Sequence, residues 1–249
     1  MKIDYPVPEQ TAQLRRLWQA VFQDPADYID GFFRLAFEPA RCRIVETDGK
    51  VAAMAHWFDM TCRGKKMAYL YAVATDRVFR ERGYCRSLME DICRLLERQG
   101  YAGLLLVPQN EGVIAMYEKM GFRFFGGISR FFCEAGEPVA ITSVDCGMYQ
   151  ALRAEFLPEG GVMLDDIGAA YLASMAEFYR GVDFLMAAVR EGEVLHGIEL
   201  LGNAGAAPGI LTALDCTDGS FLTPGETSFA MYRSLDGTPP PDYLGIAFD

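Results

Sequence analysis

The chain has 249 residues, enough to bury a core as one large domain or two small ones, and its 51% apolar and 23% charged residues are those of a folded globular protein. A formal net charge of −11 argues against a nucleic-acid binder, no apolar run approaches the roughly 20 residues of a membrane span, and the opening MKIDYPVPEQ lacks the apolar core of a secretory signal. Seven cysteines, without a CxxC pair and with only His56 and His196 beside them, give no zinc pattern; the expectation is reduced thiols, no metal and a cytoplasmic setting.

Residues 10–23, QTAQLRRLWQAVFQ, place Leu14, Trp18, Val21 and Phe22 on one helical face, and a second, aromatic-rich helix follows Pro25 through YIDGFFRLAF. RCRIVETDGKVAAMAHWFDM predicts a strand, an Asp48-Gly49 turn and a second strand, and KKMAYLYAVATD continues as a third. Leu88, Met89, Ile92, Leu95 and Leu96 then recur at helical spacing up to a stop at Gly100. GLLLVP (103–108) is apolar throughout, as a strand buried on both faces is; NEGVIAMYEKMG predicts a short helix stopped by Gly121, and FRFFGGISRFF a returning strand. The fold class is α/β (α+β), a mixed sheet with helices on its faces.

A second domain is expected over 134–249, after a first over 1–133. The charge divides there: 19 lysines and arginines meet 16 acids in the first part, whereas the second holds four arginines and 18 acids. Such asymmetry suggests regions with different partners. Residues 147–180 read as helical segments, and FLMAAVREGEVLHGIELL as strand, Gly192 turn, strand. Shifted by 143 positions, Gly49 falls on Gly192 and Val51 on Val194, the one sign of an internal repeat. GNAGAAPG (202–209) and DGTPPP (236–241) read as loops, and YLGIAFD as a last strand.

The stretch FRERGYCRSLM (79–89) carries the chemistry. Arg77, Arg80, Arg82 and Arg86 oppose one acid, Glu81, and Gly83 precedes a helix. A helix start offers unpaired N–H groups and the positive end of a dipole, and glycine lets a backbone approach closely, so this order suits a phosphate. It is neither a Walker A loop nor GxGxxG. An ordinary helix start is the competing reading of the residues alone.

YAVATDRVFRERGYCRSLM resembles the acetyl-CoA-binding segment of the GNAT-superfamily N-acetyltransferases, in which an apolar strand and a short turn lead to R-x-x-G-x-(G/A) opening a long helix. Here the motif is Arg80-Glu81-Arg82-Gly83-Tyr84-Cys85, with Cys85 where the family has glycine or alanine. LLLVPQNEGVIAMYEKMGFR is similar to the family's second signature, with Asn110, Tyr117, Gly121 and Phe122 in place. The resemblance covers roughly residues 1–133, and within the superfamily it points to two-part bacterial members with a degenerate second copy.

The resemblance implies direct transfer of an acetyl group from acetyl-CoA to a primary amine, without a metal. Val73, Ala74 and Thr75 then hold the pantetheine arm, and a backbone N–H there faces the thioester oxygen. Backbone groups of Glu81, Arg82, Gly83, Tyr84, Cys85 and Arg86 take the pyrophosphate, with Arg80 and its neighbours adding charge. Tyr117 is the candidate acid for the departing thiolate, with a core tyrosine as the alternative, and Asn110 is either a cofactor contact or a helix cap. His56, Asp59, Glu111 and the terminal carboxylate of Asp249 are the candidate bases. The acidic half suggests a cationic small-molecule or peptide acceptor. A non-catalytic acyl-CoA-binding module with the same fold is the alternative function.

Overall fold

The computed structural model describes residues 1–248; Asp249, and with it the candidate terminal carboxylate, lies outside the described residues. The chain forms two compact units, Met1–Arg123 with Tyr232–Pro239, and Phe124–Met231 with the segment from Pro240 onward. The division falls earlier than residue 133, because the strand Arg123–Glu134 joins the second unit almost from its first residue, and a late segment returns to the first unit.

The first unit begins with β1 (Lys2–Asp4), α1 (Thr11–Phe22) and α2 (Ala26–Leu35). The meander β2 (Cys42–Thr47), β3 (Lys50–Cys62) and β4 (Lys65–Thr75) follows, then α3 (Tyr84–Arg98), β5 (Gly103–Leu106) and α4 (Glu111–Lys119). Asp48 and Gly49, at φ 51° and 72°, make the turn between β2 and β3, the left-handed pair that matches strand twist. The sheet runs β1-β2-β3-β4-β5, antiparallel except for the parallel β4–β5 pair, as a helix crossover requires. Leu14, Leu17 and Trp18 of α1 and Ile29 and Phe32 of α2 pack on this sheet, and Leu88, Met89, Ile92 and Leu96 of α3 are its other large apolar contribution.

The second unit holds β6 (Arg123–Glu134), β7 (Thr142–Val144), α5 (Cys146–Phe156), β8 (Met163–Leu164), α6 (Asp166–Ala173), β9 (Glu177–Arg180), β10 (Phe184–Glu191), β11 (Val194–Gly202), α7 (Ala207–Ala213), β12 (Asp218–Pro224) and β13 (Thr227–Ser234). Asp145 and Asp165 cap α5 and α6, their carboxylates accepting from the N–H groups of Met148 and Gly168 at 2.8 and 2.7 Å. Its sheet runs β13-β6-β12-β11-β10-β9-β7. Residues 227–231 of β13 belong to this unit and 232–234 to the first, where the Leu235 N–H donates to the Ala102 carbonyl.

The order of elements repeats. Strand, two helices, three-strand meander, helix and parallel strand occur as β1, α1, α2, β2–β4, α3, β5 and again as β7, α5, α6, β9–β11, α7, β12. The equivalence is not the expected shift of 143 residues. The Gly192 turn joins β10 to β11, the strand with a parallel partner, so its counterpart is Gly64, between β3 and β4. Two other expectations fail. GNAGAAPG holds the end of β11, a 3-10 turn and the start of α7, and 243–248 is a buried segment outside any strand, bridged to its unit at Gly161–Tyr243 and packed through Phe248 on Tyr171.

Candidate functional site

Strand β4 outlasts its partner. It pairs with β5 only from Met67 to Tyr69, and β5 ends at Leu106 before Pro108, which has no N–H to give. From Leu70 to Thr75 one edge of β4 therefore has no strand beside it among the described residues, a length of about 20 Å at strand rise. Its other edge follows β3 with one irregularity: Met54 faces Ala74 and His56 faces Tyr71, so Ala72 and Val73 together oppose Ala55. Ala72 lies at φ +48°, a left-handed conformation uncommon for alanine. This is a β-bulge at the middle of the open edge, and bulges re-aim backbone groups. No sequence signal marks Ala72, and it was not among the expected site residues.

The open edge leads into the arginine-rich loop. The Asp76 carboxylate accepts from the Val78 N–H at 3.0 Å, starting a 3-10 turn, and Arg80 Nε donates to the Thr75 carbonyl at 3.3 Å. Glu81 and Gly83 then take φ +61° and +77°. Turns with residues in the left-handed region can aim successive N–H groups into one concavity, the kind of nest that binds anions. No side chain caps α3, so the N–H groups of its first turn, including those of Tyr84, Cys85 and Arg86, are unclaimed by any cap. Arg77, Arg80, Arg82 and Arg86 are exposed and none makes an ion pair among the described residues; Arg82 rests over the Phe79 ring. Residues 73–75 and 80–86 thus lie on one open edge and the loop it leads into, with Ala74 buried, and the donors, charge and open edge fit an extended cofactor ending in phosphates.

Tyr117 lies on α4, buried, with its ring edge-on to Phe122 at 5.4 Å. Its hydroxyl makes no hydrogen bond to any described residue. Burial, with the nearby Cys85 thiol as a lesser cause, holds the phenol well above its ordinary value of 10, so it is a protonated donor throughout the neutral range. The Cys85 thiol is itself pushed up to about 11 by burial and is uncharged. Asn110 caps α4, its side-chain oxygen accepting from the Val113 N–H at 3.3 Å, while its NH₂ stays exposed.

The candidate bases fare differently. His56 is enclosed by the rings of Trp18, Phe32, Phe33 and Phe37, at 5.1–6.1 Å between centroids, and burial lowers its pKa to about 3. It is a neutral core residue. Asp59 accepts from the Tyr101 hydroxyl at 2.5 Å and pairs with Arg41 and Lys66 at 3.2 and 2.9 Å. Its partner on β4 is Ala68, seven residues or about 23 Å from Thr75, so it serves the far end of the sheet. Glu111 is exposed in the first turn of α4.

The equivalent place in the second unit is closed. Beyond Gly197, β11 also leaves β12, but Glu199 fills this stretch, receiving Arg153 Nε and Nη2 at 2.6 and 2.8 Å and the Tyr149 hydroxyl at 2.8 Å, all with side chains fully buried. Gly245 of the terminal segment packs against the same carboxylate. No lysine or arginine occurs between Arg190 and Arg233, and the Asn203 side chain takes the Gly205 N–H in the turn before α7.

Among the described residues no cluster of His, Cys, Asp and Glu could hold a metal, and no helix is long and apolar enough to cross a membrane. No curated protein matches the chain in sequence. Over 94% of its length the chain superposes on 71% of a GCN5-related N-acetyltransferase from Kribbella flavida, at 16% identity and a TM-score of 0.72. A GCN5-related N-acetyltransferase from Anabaena variabilis is covered to 72%, again by 94% of this chain, at 14% identity and a TM-score of 0.72. Eis1 from Mycobacterium abscessus is covered to 74% by 95% of the chain, at 11% identity and a TM-score of 0.69. At these identities the likeness is one of fold. Residues 2–125 match the family model of the acetyltransferase (GNAT) domain, the same residues that build the open strand, the loop and Tyr117. With a mixed sheet and the motif-bearing elements in family order, the chain belongs to the GNAT acetyltransferases.

Proposed function

We propose that the protein moves the acetyl group of acetyl-CoA to a primary amine of a cationic small molecule or peptide by direct attack. The observation that carries this reading is the unpartnered edge of β4 running into a left-handed, uncapped loop with four unpaired arginines. In this role β4 adds the pantetheine amides as a strand adds a neighbour, the bulge at Ala72–Val73 turns an N–H to the thioester oxygen, and the loop and first turn of α3 hold the pyrophosphate. The neutral amine, its first proton lost to water, bonds to the carbonyl carbon; the C–S bond breaks, the sulfur keeps the electron pair and takes the Tyr117 proton, and the proton shed by the new amide nitrogen returns through water to the phenolate. Among the described residues neither His56 nor Asp59 is free to take the amine's proton. The excess of acids in 134–249 supports a cationic acceptor through its long-range field.

The test is turnover of acetyl-CoA, read as released thiol and acetylated product by mass, against polyamines, aminoglycosides and lysine-bearing peptides. Acetylation of a cationic amine, with an acceptor KM that rises with salt, is expected. Binding of acetyl-CoA without transfer to any of these amines would instead make the protein an acyl-CoA-binding module.

A further inference from the structure

A second cationic feature adjoins the loop. Arg86, Met89 and Glu90 line one side of a cleft of ≈ 240 Å³ along the second turn of α3, and Lys119 and Gly121 from the end of α4, with Arg233 of β13, line the rest. All belong to the first unit. Three cations face one acid, Glu90, and neither Lys119 nor Arg233 makes an ion pair among the described residues. Gly121, at φ +89°, leaves Arg233 running past it: a Cβ there would meet the guanidinium stem at 3.8 Å. The cleft's floor, Met89, is apolar and fully buried. An open notch in which three cations outnumber one acid has the charge of a site for a phosphate monoester.

Its position selects which one. Arg86 belongs both to the loop and to the notch, and Glu90 stands seven residues beyond Gly83, about 10 Å along the helix axis. A ligand whose pyrophosphate lies on the first turn of α3 thus has the notch within reach of the next group along. In coenzyme A the ribose carrying the pyrophosphate also carries a 3′-phosphate. We propose that Arg86, Lys119 and Arg233 bind the 3′-phosphate of the donor, so that the protein distinguishes coenzyme A thioesters from their 3′-dephospho forms. The inference rests on the acetyl-CoA reading above and adds a specificity site to it.

Calorimetric titration of the full chain with acetyl-CoA and with 3′-dephospho-acetyl-CoA tests it, beside Lys119→Gln, Arg233→Gln and the double variant, with thermal unfolding as the folding control. The intact protein is expected to prefer acetyl-CoA by tenfold or more, each single variant to narrow that ratio and the double variant to bring it near unity. Equal affinity of the intact protein for both ligands overturns the proposal and leaves the pyrophosphate cradle standing. A preference that survives in the double variant overturns the assignment to this notch. If neither ligand binds, the acetyl-CoA reading itself falls.

Discussion

Gly83→Ala isolates what the loop does. A Cβ at this position meets no atom within 4 Å, so the substitution brings no clash, only the cost of holding alanine at φ +77°. That cost is about 1–2 kcal/mol. If the loop relaxes to escape it, ligand binding must restore the left-handed conformation, and affinity falls by the same amount, about 5- to 30-fold. Gly100 is the control: it ends the same helix at φ +80°, also with nothing within 4 Å, and shares the backbone cost far from the loop. Gly100→Ala, held at the end of its helix, is expected to lose a few degrees of Tm, at about 2–4 °C per kcal/mol for a chain of this size, whereas Gly83→Ala, in an exposed loop that relaxes, is expected to keep most of the parent's Tm. Only Gly83→Ala is expected to weaken acetyl-CoA in calorimetry. An affinity within twofold of the parent in a Gly83→Ala variant that keeps the parent's Tm would refute the cradle, because a relaxed loop would then bind as well as the left-handed one.

Tyr117→Phe keeps the packing on Phe122 and removes the one proton at issue; kcat is expected to fall about 10²- to 10⁴-fold with acetyl-CoA affinity little changed, and an unchanged kcat would reduce Tyr117 to a core residue. Calorimetry is expected to give one acetyl-CoA per chain, since the Arg153–Glu199 pair fills the equivalent place in the second unit; two equivalents would show that this pair opens. His56 has a folded-state pKa lowered to about 3, so from its ordinary 6.5 down to about 3 the unfolded chain binds the extra proton. Its contribution is therefore whole above pH 6.5 and is lost at about 1.4 kcal/mol per pH unit as the pH falls through that window. Denaturant titrations at pH 7 and pH 5 should show His56→Gln with a shallower acid dependence than the parent; identical slopes would place a titrating partner beside the ring.

What the sequence disclosed was what local chemistry determines. Asp48-Gly49 announces its turn because both residues must adopt positive φ, and α3 announces itself by an apolar stripe behind an arginine-rich start. The loop and Tyr117 were legible for the same reason: their motif lies within a short stretch of chain. The bulge at Ala72 was not, because alanine is no residue for a left-handed position and only the register with β3 imposes it. Helix α7 was hidden in glycine and proline, and forms because Ala207, Ile210 and Leu211 are completely buried in the core under β10–β12. The repeat was misaligned because hairpin turns look alike; only the parallel partner of the strand that follows tells one from another. Arg233 escaped notice because nothing within residues 210–235 suggested that the chain returns to its first unit.

That return has a consequence in time. A ribosome finishes residue 123 long before residue 232, and at roughly 5–20 residues per second the interval is on the order of 5–20 s. Through that interval the N-terminal half is a nascent domain lacking its last strand, with one side of β5 uncovered and Gly103 without the Tyr232 ring that will lie against it. The unit with the open strand and the arginine-rich loop therefore completes its fold only after most of the other unit has been made. A chain cut anywhere before residue 232 lacks the segment that closes its first unit, so the completeness of that unit reports that most of the second has been made.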